Sequence, residues 1–293
     1  MRTPLLAFAA LVVAGTTLVL PAAAGAATKS PTYYVSLGDS YSVGYQPTKG
    51  ATPGYAGYVQ KHTHLTLVNF GCGGATTTSI LDTVGCPDVL PHTTGGVTYP
   101  ATTQIAAADA FIAAHKGHIG LITVSIGGND VTSCAVAASP LSCVGTAVTN
   151  INTNVTTLAS DLRSAAGPGV PIIGSTYPDV ILGSYVYPKH PAAASSIALA
   201  KVSVPAFKVL INPALAKAYA ADKGYLVDVT AATGAYGSLA KTVKTKNYGT
   251  IPVPVNQVCR YSWYCAQGNI HATTVGYNLI GKLIVTKYDA VKK

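Results

Sequence analysis

Five short apolar runs recur along the chain, each too brief for a stable helix and separated from the next by residues enough to form one. They are Tyr33–Leu37, Leu65–Phe70, Gly120–Ile126, Val170–Gly174 and Tyr225–Val229. All are partly β-branched or aromatic, so each is expected to be a buried strand. The intervening stretches 103–115, 146–166, 192–221 (interrupted at Pro205 and Pro213) and 275–288 are expected to be helical. Strands alternating with helices imply an α/β fold with a central parallel five-stranded sheet covered on both faces. Ligands of such sheets bind beyond the carboxyl ends of the strands. Residues 71–100 and 127–145 are rich in Gly, Thr, Ser and Cys and are expected to be loops over that edge.

The chain start has the layout of an export signal. Arg2 precedes an apolar stretch from Pro4 to Leu20 and an Ala-rich tract to Ala27, and Ala24-Gly25-Ala26 offers a small-residue cleavage site. Residues 1–27 are therefore expected to be a signal peptide, removed after Ala26 or Ala27. The remaining 28–293, or 266 residues (293 minus 27), then form a single domain. No later segment is expected to be long and apolar enough to cross a membrane, so a soluble, secreted protein is anticipated; a monomer is expected. Six cysteines in an exported chain imply three disulfides. Spacing favours Cys134 with Cys143 and Cys259 with Cys265, leaving Cys72 for Cys86, although other pairings are compatible with the sequence.

Charge and composition exclude several functions. Loss of Arg2 lowers the formal charge from +9 to +8 (18 basic minus 10 acidic residues). The lysines are scattered, apart from Lys241, Lys244, Lys246 and the terminal pair, which is not the Arg-bearing basic face of a nucleic-acid binder. Every acidic residue is Asp. With no Glu, neither the H-E-x-x-H zinc-protease motif nor a glycosidase pair that includes Glu can be built. No metal or other cofactor is expected. Eighteen Tyr against four Phe and one Trp suggest amphipathic surfaces suited to lipid or polysaccharide.

Four segments carry candidate chemistry, three of them directly after expected strands. Gly38-Asp39-Ser40-Tyr41-Ser42-Val43-Gly44 follows the first strand and could present the Ser40 hydroxyl at the crevice. Asn69-Phe70-Gly71-Cys72-Gly73-Gly74 follows the second, with glycines that can turn backbone N–H groups into a site. Gly127-Gly128-Asn129-Asp130 follows the third, where an Asn amide can donate to a developing oxyanion. His271, in Gly268-Asn269-Ile270-His271-Ala272-Thr273, precedes the final helix.

In order and separation these segments resemble the four blocks of SGNH (GDSL-type) hydrolases, and Gly-Asp-Ser-Tyr-Ser-Val-Gly further resembles the secreted actinobacterial esterases and lipases of that group. The resemblance implies a three-layer α/β/α, flavodoxin-like fold. It makes Ser40 the nucleophile and His271 the base, and it assigns the oxyanion hole to the N–H groups of Ser40 and Gly74 and the side chain of Asn129. One departure stands out. Such hydrolases usually carry Asp three residues before the His; here that position is Gly268, and Ala272 replaces the following Pro. A Ser-His dyad is therefore expected, oriented by a main-chain carbonyl such as that of Gly268. Asp39 and Asp130 are expected to be structural, with Asp228 the outside candidate for a third member.

The expected reaction is hydrolysis of acyl esters, lipid or phospholipid included, through an acyl-enzyme. Removal of O-acetyl groups from polysaccharide is the alternative. A non-catalytic carbohydrate- or lipid-binding protein on the same scaffold is a further one. A flavodoxin-like cofactor binder is disfavoured because no G-x-G-x-x-G opens a helix after the first strand. With an unperturbed imidazole, activity should rise with pH through about 6.5.

Overall fold

The computed structural model describes residues 32–292, so the expected signal peptide 1–27 lies outside the described residues. Five strands, β1 (Tyr33–Gly38), β2 (Thr66–Asn69), β3 (Ile119–Ser125), β4 (Ile172–Ser175) and β5 (Tyr225–Val227), fall on the five apolar runs. All pair in parallel, in the order β2-β1-β3-β4-β5.

Side chains two apart along a strand share a face, and here both faces are buried. Val35 and Leu37 of β1 join Ile122, Val124 and Ile172 in one core. Tyr34 joins Leu121 and Ile173 in the other. The helices Gln104–Ala114, Pro140–Ala166 and Asn212–Ala221 cover the first face, contributing Ile112, Ile151, Leu158 and Leu215. The helices Gly54–Thr63 and Thr274–Val291 cover the second through Val59, Tyr277 and Ile284. The result is three layers, α/β/α, as expected.

Some elements depart from expectation. The helix Gly54–Thr63 carries its buried residues (Tyr55, Ala56 and Val59) among polar ones, so its period is faint in the sequence. Within the expected loop 127–145, residues Gly128–Thr132 are helical, and the long helix begins at Pro140. A first-turn proline lacks only an N–H that would have had no partner there. An antiparallel hairpin, β6 (Thr242–Thr245) and β7 (Gly249–Pro252), lies near the cluster of Leu182, Ile251, Val255 and Val258. Contrary to the expectation of no membrane-length segment, the helical stretch Ala194–Ala221 has the length and apolarity of a span, with mean hydropathy 1.5. In the fold its Phe207, Ile211, Leu215 and Tyr219 enter the first core, while Val202, Val209 and Leu210 are exposed and only 28% of its most apolar window is buried. The three disulfides are Cys72–Cys86, Cys134–Cys143 and Cys259–Cys265, the pairs that spacing favours.

The strand order reverses between β1 and β3, whose helical connections leave to opposite faces and open a crevice at their carboxyl ends. Gly38 closes β1 there with φ of +129°. A Cβ at this position would stand 2.0 Å from the Ser125 carbonyl oxygen on β3. Gly38→Ala should therefore destabilise the fold by about 2 kcal/mol or more. A urea-unfolding midpoint unchanged from the wild type would contradict this account of the strand end.

Candidate active site

Ser40 opens a single helical turn, Ser40–Val43, directly after β1. Its N-cap is Asp39, whose carboxylate accepts hydrogen bonds from the Tyr41 N–H (2.9 Å) and the Tyr177 hydroxyl (2.6 Å). Burial raises the Asp39 pKa to about 7, against the lowering effect of these two bonds. Just upstream, Gln104 clamps the strand end: its Oε1 accepts from the Gly38 N–H (2.7 Å) and its Nε2 donates to the Gly38 carbonyl (3.1 Å). Ser40 is thus presented from a rigid corner.

His271 approaches from the other end of the chain. Its backbone carbonyl accepts from the Trp263 N–H (2.9 Å), and the Tyr41 hydroxyl donates to the adjacent Ile270 carbonyl (2.6 Å). Tyr41, Tyr45 and Tyr277 surround the ring's loop, and the Tyr277 hydroxyl donates to the Tyr45 carbonyl (2.8 Å). The chain then enters the final helix, capped by Thr273. Nε2 of His271 lies 2.7 Å from Ser40 Oγ, across 231 positions of sequence.

The third group differs from the expectation. Nδ1 of His271 lies 2.8 Å from Asn269 Oδ1, not against the Gly268 carbonyl. The same oxygen accepts the His271 backbone N–H (3.0 Å), which fixes the amide's orientation, because a flipped amide would set its own N–H against that donor; Nδ1, facing an oxygen, then carries the proton. Gly268 has a different task. It ends the turn Tyr264–Gln267 in the left-handed region (φ 64°), and its N–H caps Tyr264. A side chain there would strike the Tyr187 ring at 2.4 Å. Asp228 is not the missing acid either, since it caps the turn Val229–Ala232 through the Ala231 N–H (2.9 Å).

With Nδ1–H donating to Asn269, Nε2 carries a lone pair toward the Ser40 hydroxyl. That is the tautomer of a base. Burial, with no carboxylate to oppose it, lowers the His271 pKa to about 4.

Two of the three expected oxyanion donors, Ser40 and Asn129, share a cleft, and the third, Gly74, lines a separate one. One Asn129 amide hydrogen donates to the Ala75 carbonyl (2.8 Å), tying this side chain to the residue after Gly74 and leaving its second hydrogen free to point elsewhere. Among the described residues, neither the Ser40 N–H nor the Gly74 N–H has a protein acceptor. Asp130 fastens the two loops together by accepting from the Thr77 N–H and hydroxyl. Sequence reasoning missed Asn269, Gln104 and Trp263. The signal for Asn269 was its place two residues before the His, where an Asx side chain can reach back to the backbone.

Residues 36–279, which include all four segments, match the GDSL-like lipase/acylhydrolase family. The chain belongs to that family. It is accordingly a carboxylic ester hydrolase with the SGNH α/β/α architecture. Similar solved structures include Axe2, an acetylxylan esterase from Geobacillus stearothermophilus, at 14% identity and TM-score 0.47, covering 88% of this chain and 94% of that one. Another is a G-D-S-L family protein from Desulfitobacterium hafniense DCB-2 described as lipolytic, at 13% identity and TM-score 0.42, covering 87% and 98%. A third is the salicylyl-acyltransferase SsfX3 of a tetracycline biosynthetic pathway, at 12% identity and TM-score 0.37, covering 90% and 56%. No curated protein matches the chain.

The lowered His271 pKa replaces the pH dependence expected for an unperturbed ring. A base must be neutral, and this ring protonates only as pH falls through about 4. The acid limb of kcat/KM for ester hydrolysis is therefore expected near pH 4. A limb at 6.5 or above would show that burial does not control the ring.

Proposed function

We propose that this protein is an exported serine esterase that cleaves carboxylic acyl esters through an acyl-enzyme, with Ser40 as nucleophile, His271 as base and Asn269 holding the ring. One observation carries this reading: Ser40 Oγ stands 2.7 Å from a ring nitrogen whose partner nitrogen is already committed to Asn269. Nε2 takes the hydroxyl proton as Oγ attacks the ester carbonyl. The negative oxygen of the tetrahedral intermediate is held by the N–H groups of Ser40 and Gly74 and by the free amide hydrogen of Asn129. Collapse breaks the bond to the alcohol, which leaves with the proton from Nε2. Water then attacks the acyl group, gives a proton to the same nitrogen, and releases the carboxylic acid as Oγ recovers its hydrogen.

Asn269 is neutral, so it fixes the tautomer and the ring's direction without offering a charge to the imidazolium. It supplies what the sequence alone had sought in a Gly268 carbonyl. The leader-like start and the three disulfides support export into an oxidising compartment. Resemblance to secreted actinobacterial esterases supports it as well.

Ser40→Ala should lower kcat/KM by about 1000-fold or more while leaving the unfolding midpoint in place. It should also abolish labelling by a fluorophosphonate, which a non-catalytic binding protein would not take up in the first place. Near-wild-type turnover in that variant would refute the assignment. Asn269→Ala should lower kcat by about 10- to 1000-fold with little change in KM, because the ring loses its fixed tautomer; a change within twofold would remove Asn269 from the site.

A further inference from the structure

The cleft at Ser40 borders a second apolar space. From Ser40 and Asn129 the cleft is walled by Val131, Thr132, Val180 and Phe207. Those same four residues line a second slot, between the start of the helix Pro140–Ala166 and the stretch Ala194–Ile211. Its remaining walls include Val144, Leu199, Val202, Ala206 and Ile211. The two spaces thus share a wall of four side chains.

The walls offer almost nothing to a polar ligand. Thr132 Oγ1 is spent on the Gly128 carbonyl (3.0 Å). Ser203 Oγ, also on the wall, donates to Asp179 Oδ2 (2.8 Å) behind it. Tyr177 gives its hydroxyl to Asp39, and Cys134 is bonded to Cys143. What faces the space is aliphatic and aromatic carbon. A sugar hydroxyl placed there would lose its water without gaining a partner, whereas an alkyl chain would lose nothing.

Local backbone geometry explains the wall. Pro205 has no N–H for the helical ladder, and the next residues, Ala206–Ile211, wind as a wider π-type turn. That turn carries Ala206, Phe207 and Ile211, all three of which line the slot. Val202, at 43% exposure, marks the rim where the slot meets solvent.

We infer that this slot is an acyl-chain site, and that the enzyme's substrates are esters of medium-chain fatty acids whose tails lie between the two helices while the carbonyl is at Ser40 and Asn129. The inference rests on the esterase reading above and adds the substrate class to it. Each methylene drawn from water into such a space raises kcat/KM by up to about fourfold.

The test is a series of p-nitrophenyl esters (acetate, butyrate, octanoate, dodecanoate) in which only the acyl part changes. It is run on the wild type and on Ala206→Phe, which fills the slot, and Val202→Asp, which places a charge at its rim. Urea unfolding checks that the variants fold; Val202 is partly exposed, so Val202→Asp stands in should Ala206→Phe fail to fold. The wild type should prefer octanoate to acetate by at least about tenfold in kcat/KM, and each folded variant should lose most of that preference. A wild type fastest on acetate, or a chain-length preference unmoved in the folded variants, would overturn the acyl site. If Ser40 still takes a fluorophosphonate in that event, the esterase reading survives it. A protein that hydrolyses none of the esters and takes no label would instead overturn the esterase reading, and the acyl site with it.

Discussion

The hydrogen bond between Ser40 and His271 ties the end of the first strand to the loop before the last helix, and much of the fold serves to make it possible. Ser40 is held from beneath by Gly38 against β3, by the Gln104 clamp and by its Asp39 cap. His271 is held by Trp263, by Tyr41 and by the cap at Thr273. The final helix packs with Gly54–Thr63 on the second face of the sheet, so the loop at its start arrives beside the carboxyl end of β1. Two cores on opposite faces are needed for one contact of 2.7 Å.

The electrostatics of that contact are those of a site with a neutral third member. A carboxylate facing Nδ1 would favour the imidazolium and raise the ring's pKa; the amide of Asn269 does not, and burial takes the pKa down to about 4 instead. The ring is therefore ready as a base over a wide pH range, and the charge that forms on it during the proposed reaction is met chiefly by the oxyanion beside it. This places more of the work on the proposed donors at Ser40, Gly74 and Asn129 than a carboxylate-backed histidine would require.

The strands were legible from their period, and the roles of Ser40 and His271 from the resemblance to SGNH hydrolases. Apolar runs of strand length mark a sheet buried on both faces, and Ser40, Gly74 and Asn129 follow the first three of them. The partners that orient the site were not legible, because nothing in local spacing says that Gln104 will reach back to Gly38 or that Trp263 will hold the carbonyl of His271. Gly268 was misread for a related reason. Its position suggested a missing acid and a substitute carbonyl, whereas the backbone needs a positive φ there and the neighbouring Asn269 supplies the acceptor. The helix Gly54–Thr63 and the hairpin β6–β7 escaped notice because few of their residues are buried, so their sequences lack a clear period.

The central claim is that His271 is a neutral base with its proton on Nδ1, held by Asn269. Nitrogen-15 NMR of the ring at neutral pH tests it most directly. A protonated Nδ1 and an unprotonated Nε2 are predicted, with that distinction lost in Asn269→Ala. A ring doubly protonated at neutral pH, or one carrying its proton on Nε2, would contradict the account.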